Sequence, residues 1–222
     1  MNDPLTQQEE SGSMIEVVTV ENAHWCGTAL AEQFKFRYRH FVANEQWEVP
    51  FYKGMEYDQF DTPAAVYLVW RDVAGVVRGM IRLLPTNRPY MLETLWPDMM
   101  PDPIVPSGPT VWEITRFGVE RNLSLSLRKQ ISAELILACI EFSVLNDIHT
   151  YLFLTAWGVL KRIVPGAGVE AQIHSRKTLP SGHDVASAVV PVSQVVLDKA
   201  RAKLNIHYAV LDNNSFEQQY AA

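Results

Sequence analysis

The sequence has few residues that could cross-link the chain or carry it through a membrane. Its 222 residues include only two cysteines, Cys26 and Cys139. No apolar run approaches the ~18 residues that a membrane-spanning helix needs. Each cysteine falls in a segment with helical patterning, so we expect two buried thiols rather than a disulfide. A cytoplasmic protein without a membrane span is therefore predicted.

The sequence also lacks several motifs that are typical of cofactor-binding sites or catalytic nucleophiles. The sequence contains no Walker A loop, no G-x-G-x-x-G stretch and no G-x-S-x-G elbow. Its six histidines show neither the spacing of metal ligands nor a nearby cysteine pair. We therefore predict no metal site and no bound cofactor.

The sequence contains fewer basic residues than acidic residues. The chain has 19 Lys and Arg against 25 Asp and Glu, a net charge of -6. Residues 1–62 carry -7, whereas residues 63–222 carry +1. Nucleic-acid binding through bulk electrostatics is therefore disfavoured. The acidic first quarter fits a cationic small molecule or plain solubility, and charge alone does not decide between them.

The patterning that is present predicts one domain of the α/β (α+β) class, a mixed sheet covered by helices. Strands are predicted at residues 15–20, 65–70, 76–84, 111–119, 151–155 and 185–190, and helices at residues 24–41, 125–145, 157–163 and 192–203. Residues 42–63 lack periodicity and are interpreted as a long loop. Residues 85–109 hold seven prolines and are interpreted as irregular, with a short helical turn at 93–96. Residues 1–13 are predicted to be a disordered leader, which leaves 14–222 as the domain.

The first candidate site combines one arginine, two aromatic rings and two carboxylates. Arg37 and Phe41 are four residues apart and share a helix face, and Trp47, Asp58 and Asp61 follow. A buried arginine requires a carboxylate partner, and a ring beside acids can bind a sulfonium or an ammonium ion. An ordinary ion pair that pins a loop is the alternative, and the pattern alone favours it.

Two more clusters lie on predicted strands, one around Arg82 and one around Glu113 and Arg116. On a regular strand, Glu113 and Thr115 face one side and Arg116 faces the other. Charges in the middle of an apolar strand are normally paired or functional. A Glu113–Arg82 pair and an Asp–Arg116 pair are therefore alternatives to a catalytic role.

Taken in order, these clusters resemble the autoinducer synthase family, which makes N-acyl-homoserine lactones. The family pattern of Arg, Phe, Trp and Asp-x-x-Asp is matched by Arg37, Phe41, Trp47, Asp58 and Asp61. The stretch Gly-x-x-Arg-Leu-x-Pro-Thr places its arginine at Arg82, and Trp-Glu-x-[Ser/Thr]-Arg-Phe is matched from Trp112 to Phe117. Two positions depart from the pattern: Trp96 stands where the family has Phe, and Val169 stands where it has an aromatic residue.

The resemblance implies a fold similar to the GCN5-type N-acyltransferases and a two-step acyl transfer that makes a quorum-sensing signal. The α-amine of S-adenosylmethionine attacks an acyl thioester, and the methionyl carboxylate then closes the lactone and releases methylthioadenosine. Glu113 is the implied general base, and Arg116 and Asp58 complete the catalytic set. The implied S-adenosylmethionine pocket comprises Arg37, Phe41, Trp47, Asp58, Asp61 and Arg82, and the implied acyl pocket comprises Trp96 and Thr155.

Two acyl donors are compatible with the sequence, an acyl-carrier protein and acyl-CoA. A basic patch of Arg128, Lys129, Lys161 and Arg162 suits an acidic carrier protein or the phosphates of coenzyme A. A solvated helix face is the alternative. The sequence does not determine the acyl chain or the oligomeric state, for which a monomer is the working expectation.

Two other functions are weighed against the synthase. Another GCN5-type N-acyltransferase would carry an Arg/Gln-x-x-Gly-x-Gly/Ala loop, but residues 162–168 are one residue too long for it. A non-catalytic sensor of S-adenosylmethionine would not need Glu113 in a strand core.

Overall fold

The fold is built on one large mixed sheet. Residues 15–100 and 107–212 are described in a computed structural model of the chain. The strands are β1 (Glu16–Val18), β2 (Phe51–Tyr52), β3 (Met55–Glu56), β4 (Val66–Arg71), β5 (Val77–Pro85), β6 (Val111–Val119), β7 (Thr150–Ala156), β8 (Gln172–Thr178) and β9 (Asp184–Pro191). Seven of them form a sheet in the order β1-β4-β5-β6-β7-β9-β8, and β2 and β3 form a separate hairpin.

Helices cover both faces of the sheet. They are α1 (Ala29–Arg37), α2 (Met91–Leu95), α3 (Leu125–Leu145), α4 (Val164–Gly166) and α5 (Gln194–Leu204). The helix α1 continues into π-helical turns at Tyr38–Asn44, π-helical turns at Val159–Ile163 precede α4, and a short 3-10 turn at Pro97–Met99 follows α2. The described residues form a single mixed α/β domain, as the sequence predicts.

Two hydrophobic cores lie on opposite faces of the sheet. One core contains buried residues of α3 and α5, and the other contains residues of α1 and α2. The helix α3 lies close to β5 because Gly79 has no side chain. A Cβ at Gly79 would lie 2.6 Å from Cγ2 of Ile131, which is closer than real Cβ atoms approach.

The sheet splays open between β6 and β7. These two strands are parallel and pair from Val111 opposite Thr150 to Ile114 opposite Phe153. Beyond that point β6 runs on to Val119 and β7 to Ala156 without pairing to each other. The splay leaves unpaired strand edges facing an open cleft, which is where the cavity described below lies.

A bulge in β6 breaks the alternation of its side chains. Met80 pairs with Gly118 and Arg82 pairs with Thr115, so two residues of β6 face the single residue Ile81. The first of the two, Arg116, has a left-handed backbone with φ of 55°. The expectation that Arg116 faces away from Glu113 and Thr115 is therefore wrong, because the bulge turns its side chain to their side.

Three sequence expectations about secondary structure need correction. The helix predicted at residues 24–41 begins at Ala29 and its π-helical extension ends at Asn44. The predicted loop at residues 42–63 contains the β2–β3 hairpin, whose turn residues Lys53 and Gly54 both have positive φ. The edge strand β8 was missed because its seven residues are almost all exposed, so it lacks an alternating apolar pattern.

The two thiols behave as predicted. Cys26 and Cys139 are both buried and free. Among the described residues, no helix combines the length and the apolar run that a bilayer span requires. The leader predicted at residues 1–13 and part of the proline-rich segment, residues 101–106, lie outside the described residues.

Candidate active site

Three arginines and three carboxylates form a closed network beneath the sheet. Arg37, at the end of α1, is fully buried and donates through Nε to Glu56 at 2.5 Å. Its two terminal nitrogens donate to the two oxygens of Asp61 at 2.6 and 2.9 Å. The hydroxyl of Tyr67 donates to Asp61 as well, at 2.8 Å. All three guanidinium nitrogens of Arg37 thus donate to carboxylates, in one bidentate and one single ion pair.

The other two arginines come from β5 and β6. Arg82 is fully buried, donates to both oxygens of Asp58 at 2.6 and 3.0 Å, and reaches Asp61 at 2.9 Å. Arg116 donates through Nη2 to Glu56 at 3.0 Å and to Asp58 at 2.7 Å. The hairpin and the loop after it supply the acids, and the helix and two strands supply the arginines.

The network is electrically neutral. Burial by itself raises the pKa of each of its carboxyl groups, but the neighbouring guanidinium charges and hydrogen bonds outweigh it and hold the pKa values of Glu56, Asp58 and Asp61 below their usual ones. All three acids are therefore ionised at neutral pH and balance the three arginines.

A cavity of about 1430 Å³ borders this network on one side. Of the six network residues only Asp58 and Arg116 line it, together with the rings of Phe41 and Trp47. Those rings lie 4.7 Å apart, and the guanidinium carbon of Arg116 is 5.8 and 6.0 Å from their centres. This end of the cavity therefore combines a carboxylate, a guanidinium group and two aromatic faces.

Arg116 is the network member with a hydrogen-bonding group to spare. Its Nε and Nη2 are engaged by carboxylates, whereas Nη1 has the sulfur of Met91, at 3.5 Å, as its one hydrogen-bond partner within the described residues. A thioether is a weak acceptor. An anionic group in the cavity would therefore meet a cation whose position is already fixed by Glu56 and Asp58.

Glu113 is placed differently from its expected role. Its carboxylate is fully buried and accepts the backbone N–H groups of Met91 and Leu92, at 2.8 and 2.7 Å, at the start of α2. Burial raises the pKa of Glu113 to about 7 and outweighs those two hydrogen bonds, which lower it. Met91 lines the cavity but Glu113 does not.

The far end of the cavity is basic. The splay between β6 and β7 leads to Arg121, Arg128, Lys129 and Arg162, all of which line the wall. Arg121 pairs with Glu45, but the other three have no ion pair among the described residues. Of the predicted basic patch only Lys161 is absent from the wall. The residues predicted for the acyl pocket, Trp96 and Thr155, both line it.

The structure thus joins most of the residues that sequence reasoning singled out. Arg37, Asp58, Asp61, Arg82 and Arg116 form one network, and the alternative Asp–Arg116 ion pair is confirmed. The alternative Glu113–Arg82 pair does not form. Arg37, Asp61 and Arg82 lie behind the wall rather than in it. Glu56 was missed as a network member, although its spacing two residues before Asp58 was visible.

Comparison with known proteins agrees with this geometry. The family model described as autoinducer synthase matches residues 23–198. The chain belongs to the autoinducer synthase family. An acyl-homoserine-lactone synthase of Aliivibrio fischeri is 33% identical over 132 residues, which are 57% of this chain and 68% of that protein.

Solved structures extend the likeness over nearly the whole domain. The CoA-dependent acyl-homoserine lactone synthase BjaI, solved with MTA and also with SAM and isopentyl-CoA, is 25% identical, has a TM-score of 0.79 and covers 90% of this chain and 93% of its own. A putative N-acetyltransferase from Lactobacillus plantarum is 13% identical, has a TM-score of 0.50, covers 81% of this chain and 99% of its own, and shares the fold alone. The predicted GCN5-type fold is thereby confirmed.

Proposed function

We propose how the cavity divides between the two substrates of an acyl-homoserine-lactone synthase, the acyltransferase activity that family membership gives this chain. S-Adenosylmethionine occupies the end beside the ion network, and the acyl thioester occupies the splayed, basic end. The observation that carries this division is the cavity wall itself. One end offers Asp58, Arg116 and two rings, and the other offers three cations that have no ion-pair partner in the described part of the chain.

At the first end each charged group of S-adenosylmethionine has a complement. Asp58 faces the cationic sulfonium or amine, and Phe41 and Trp47 supply the aromatic faces that favour such cations. Arg116 holds the methionyl carboxylate through its spare Nη1. Arg37, Asp61 and Arg82 act from behind the wall by fixing Asp58 and Arg116 in place.

Acyl transfer requires the amine to lose a proton before or during its attack on the thioester carbonyl. The bond from the carbonyl carbon to sulfur then breaks, and the donor leaves as a thiol after its sulfur takes up a proton. We retain Glu113 as the proposed base because a pKa of about 7 suits a proton acceptor near neutral pH. Both of its oxygens already accept a backbone N–H, so the proton reaches it through a water beside Met91. Unpaired backbone N–H groups at the splay stabilise the oxyanion.

Lactone formation is intramolecular, so positioning carries most of the second step. The carboxylate attacks the γ-carbon, the bond from that carbon to sulfur breaks, and methylthioadenosine leaves with the electron pair. Arg116 and the aromatic pair hold the methionyl chain in the required bend. Thr155, in the splayed part of β7, presents a hydroxyl to the acyl chain, which suits a 3-oxo group.

The basic end fits the phosphate groups of the donor. Arg128, Lys129 and Arg162 lie around the cleft through which a thioester arm would enter. Acyl-CoA and an acyl-carrier protein both bring a phosphate on such an arm, so both remain donors to be tested. The two free thiols fit the reducing cytoplasm in which we place the protein.

The test is mass spectrometry of purified protein with S-adenosylmethionine and parallel panels of acyl-carrier-protein and acyl-CoA thioesters. The expected result is an acyl-homoserine lactone together with an equal amount of methylthioadenosine, and the productive panel identifies the donor. An acylated amine without methylthioadenosine would instead support the other N-acyltransferase. Binding of S-adenosylmethionine without any product in either panel would support the sensor.

A further inference from the structure

A histidine in the cavity wall has no role in the scheme above. His40 lies in the π-helical turns after α1 and lines the cavity. Its ring stacks on Phe36, with centres 5.4 Å apart and planes 13° apart, and meets the ring of Phe41 edge-on at 4.8 Å. The imidazole is therefore held on two sides by aromatic rings.

The third side of the imidazole is the backbone of β6. A Cβ at Gly118 would lie 2.9 Å from Cδ2 and 3.2 Å from Nε2 of His40. The absence of a side chain at Gly118 thus lets the ring rest directly on the strand. Gly118 belongs to the part of β6 that has separated from β7, so His40 lies beside the cleft.

Within the described residues, no hydrogen bond holds the ring of His40 in place. Nδ1 of His40 is buried and has no hydrogen-bond partner within the described ranges 15–100 and 107–212. A buried polar atom without a partner costs free energy, and most such atoms in proteins are paired. Nε2 has no hydrogen-bond partner in these ranges either but is not buried, so it is the nitrogen that a ligand in the cavity can reach.

The imidazole is uncharged at neutral pH. Burial, together with the positive charges of Arg121 and Arg128, lowers the pKa of His40 to about 4. A neutral ring that can donate and accept suits a neutral polar group rather than a phosphate or a carboxylate. The arm of an acyl-CoA or acyl-carrier-protein thioester carries such groups, since amides lie between its phosphate and its sulfur.

We propose that His40 binds the acyl donor through a hydrogen bond between its imidazole and an amide of the arm that carries the thioester. This inference rests on the proposed function, because it takes the basic end as the site of the donor phosphate. His40 lies between that end and the S-adenosylmethionine end, where the arm would pass.

The test compares wild type with His40→Phe, which keeps a ring between Phe36 and Phe41 but cannot form the hydrogen bond. Three short donors with the same acyl group are compared: the pantetheine thioester with two amides, the N-acetylcysteamine thioester with one, and the propanethiol thioester with none. Wild type is expected to lose about fivefold or more in kcat/KM at one of the two truncations. His40→Phe should lack that loss and keep the KM for S-adenosylmethionine of the wild type.

Two further variants make the result specific. His40→Gln restores hydrogen bonding and should recover part of the loss in kcat/KM on truncation. His40→Leu, which also cannot form the hydrogen bond, replaces His40→Phe if that variant does not fold. His174→Phe changes an exposed histidine of β8 outside the cavity and should behave as wild type.

The proposal is wrong if the wild type shows no loss at either truncation, if His40→Phe keeps the same loss, or if the variant raises the KM for S-adenosylmethionine instead. These outcomes leave the synthase activity intact and remove only the role of His40. A wild type that makes no lactone from any thioester would overturn the proposed function, and this inference with it.

Discussion

The two charged regions of the cavity differ in how far their charges are balanced within the protein. The network of Arg37, Glu56, Asp58, Asp61, Arg82 and Arg116 contains three positive and three negative groups, each within hydrogen-bonding distance of an opposite charge. At the basic end, Arg128, Lys129 and Arg162 have no ion-pair partner among the described residues. One region is enclosed, and the other is open to solvent.

This difference indicates that the paired charges of the network stabilise the structure and that the unpaired charges of the basic end are available to a ligand. Ions that are saturated by one another give up little to a substrate, but they fix the two members that reach the wall, Asp58 and Arg116. Ions without partners contribute little to the fold and remain available to an anionic ligand. Under the proposed function, charge balance therefore predicts a structural role for Arg37 and Arg82 and a phosphate-binding role for the cations of the basic end, while Arg116 contacts substrate only through its spare Nη1.

The largest expected effect comes from breaking the enclosed network. Asp61→Asn removes the negative charge that Arg37 and Arg82 share, so two buried guanidinium groups lose a partner. We expect the free energy of unfolding to fall by about 3–5 kcal/mol, the range for a broken buried ion pair, and synthase activity to be lost. Urea unfolding monitored by circular dichroism measures the change.

A matched control is Glu32→Gln, which breaks the exposed pair with Lys35 on α1. Exposed pairs contribute about 0–1 kcal/mol, so its unfolding midpoint should stay close to that of the wild type. If Asp61→Asn cost no more than this control, the view that the network holds the site together would be wrong.

A smaller effect is expected at Glu113, a buried carboxylate held by backbone N–H groups instead of arginines. If Glu113 is the base, Glu113→Gln should lower kcat by about 10²–10⁴-fold, the usual contribution of general base catalysis. Glu141→Gln is the control, because Glu141 also accepts two backbone N–H groups, from Val210 and Leu211, and lies outside the cavity wall. If Glu113→Gln and Glu141→Gln both lose the same stability and both keep the kcat of the wild type, Glu113 has a structural role only.

The titration of Glu113 gives a second readout with a defined sign. Its pKa is raised in the folded protein to about 7, so between about pH 4.5 and pH 7 the folded state keeps a proton that the unfolded state has released. This group therefore makes the protein less stable as the pH rises through that window. Glu113→Gln should remove this component of the slope, which unfolding measured at several pH values would detect.

The basic end should respond in substrate affinity rather than in stability. Replacing Arg128 and Arg162 together by Gln is expected to raise the KM for the thioester about tenfold and to weaken its dependence on salt, since charged hydrogen bonds to phosphate are lost. The KM for S-adenosylmethionine should not change. Lys161→Gln, an exposed cation outside the cavity wall, is the control. If the double variant changed its unfolding midpoint but kept the KM for the thioester, the basic end would be structural and the contrast with the network would be wrong.

The smallest expected effect concerns the acyl chain. The hydroxyl of Thr155 has no side-chain hydrogen bond within the described residues and lines the cavity. Thr155→Val should reduce the preference for 3-oxo over unsubstituted acyl donors by roughly fivefold, the value of one hydrogen bond. Ser132→Ala is the control, because the hydroxyl of Ser132 already donates to the carbonyl of Arg128. The preference of this variant for 3-oxo donors should equal that of the wild type. An unchanged ratio in Thr155→Val would remove this residue from the specificity pocket.

Local pattern was sufficient for much of the fold and for every member of the network except Glu56. The long helix α3 was predicted with its observed bounds, 125–145, because its apolar stripe is continuous. In the structure, Ser124 caps its first turn. The strand β6 was also predicted with its observed bounds. The hairpin β2–β3 and the edge strand β8 were missed, since strands of two residues or strands exposed on both faces leave no alternating apolar pattern.

By itself the sequence determined which charges would be present, in what order, and that buried arginines and acids would have to pair. Only the tertiary structure decided which of them reach the cavity. The bulge at Arg116 turns that side chain to the network side, the start of α2 engages Glu113, and the hairpin brings Glu56 to two arginines. These contacts join residues 19 to 60 positions apart, as in Arg37 to Glu56 and Arg116 to Glu56, and local propensity does not encode such pairings.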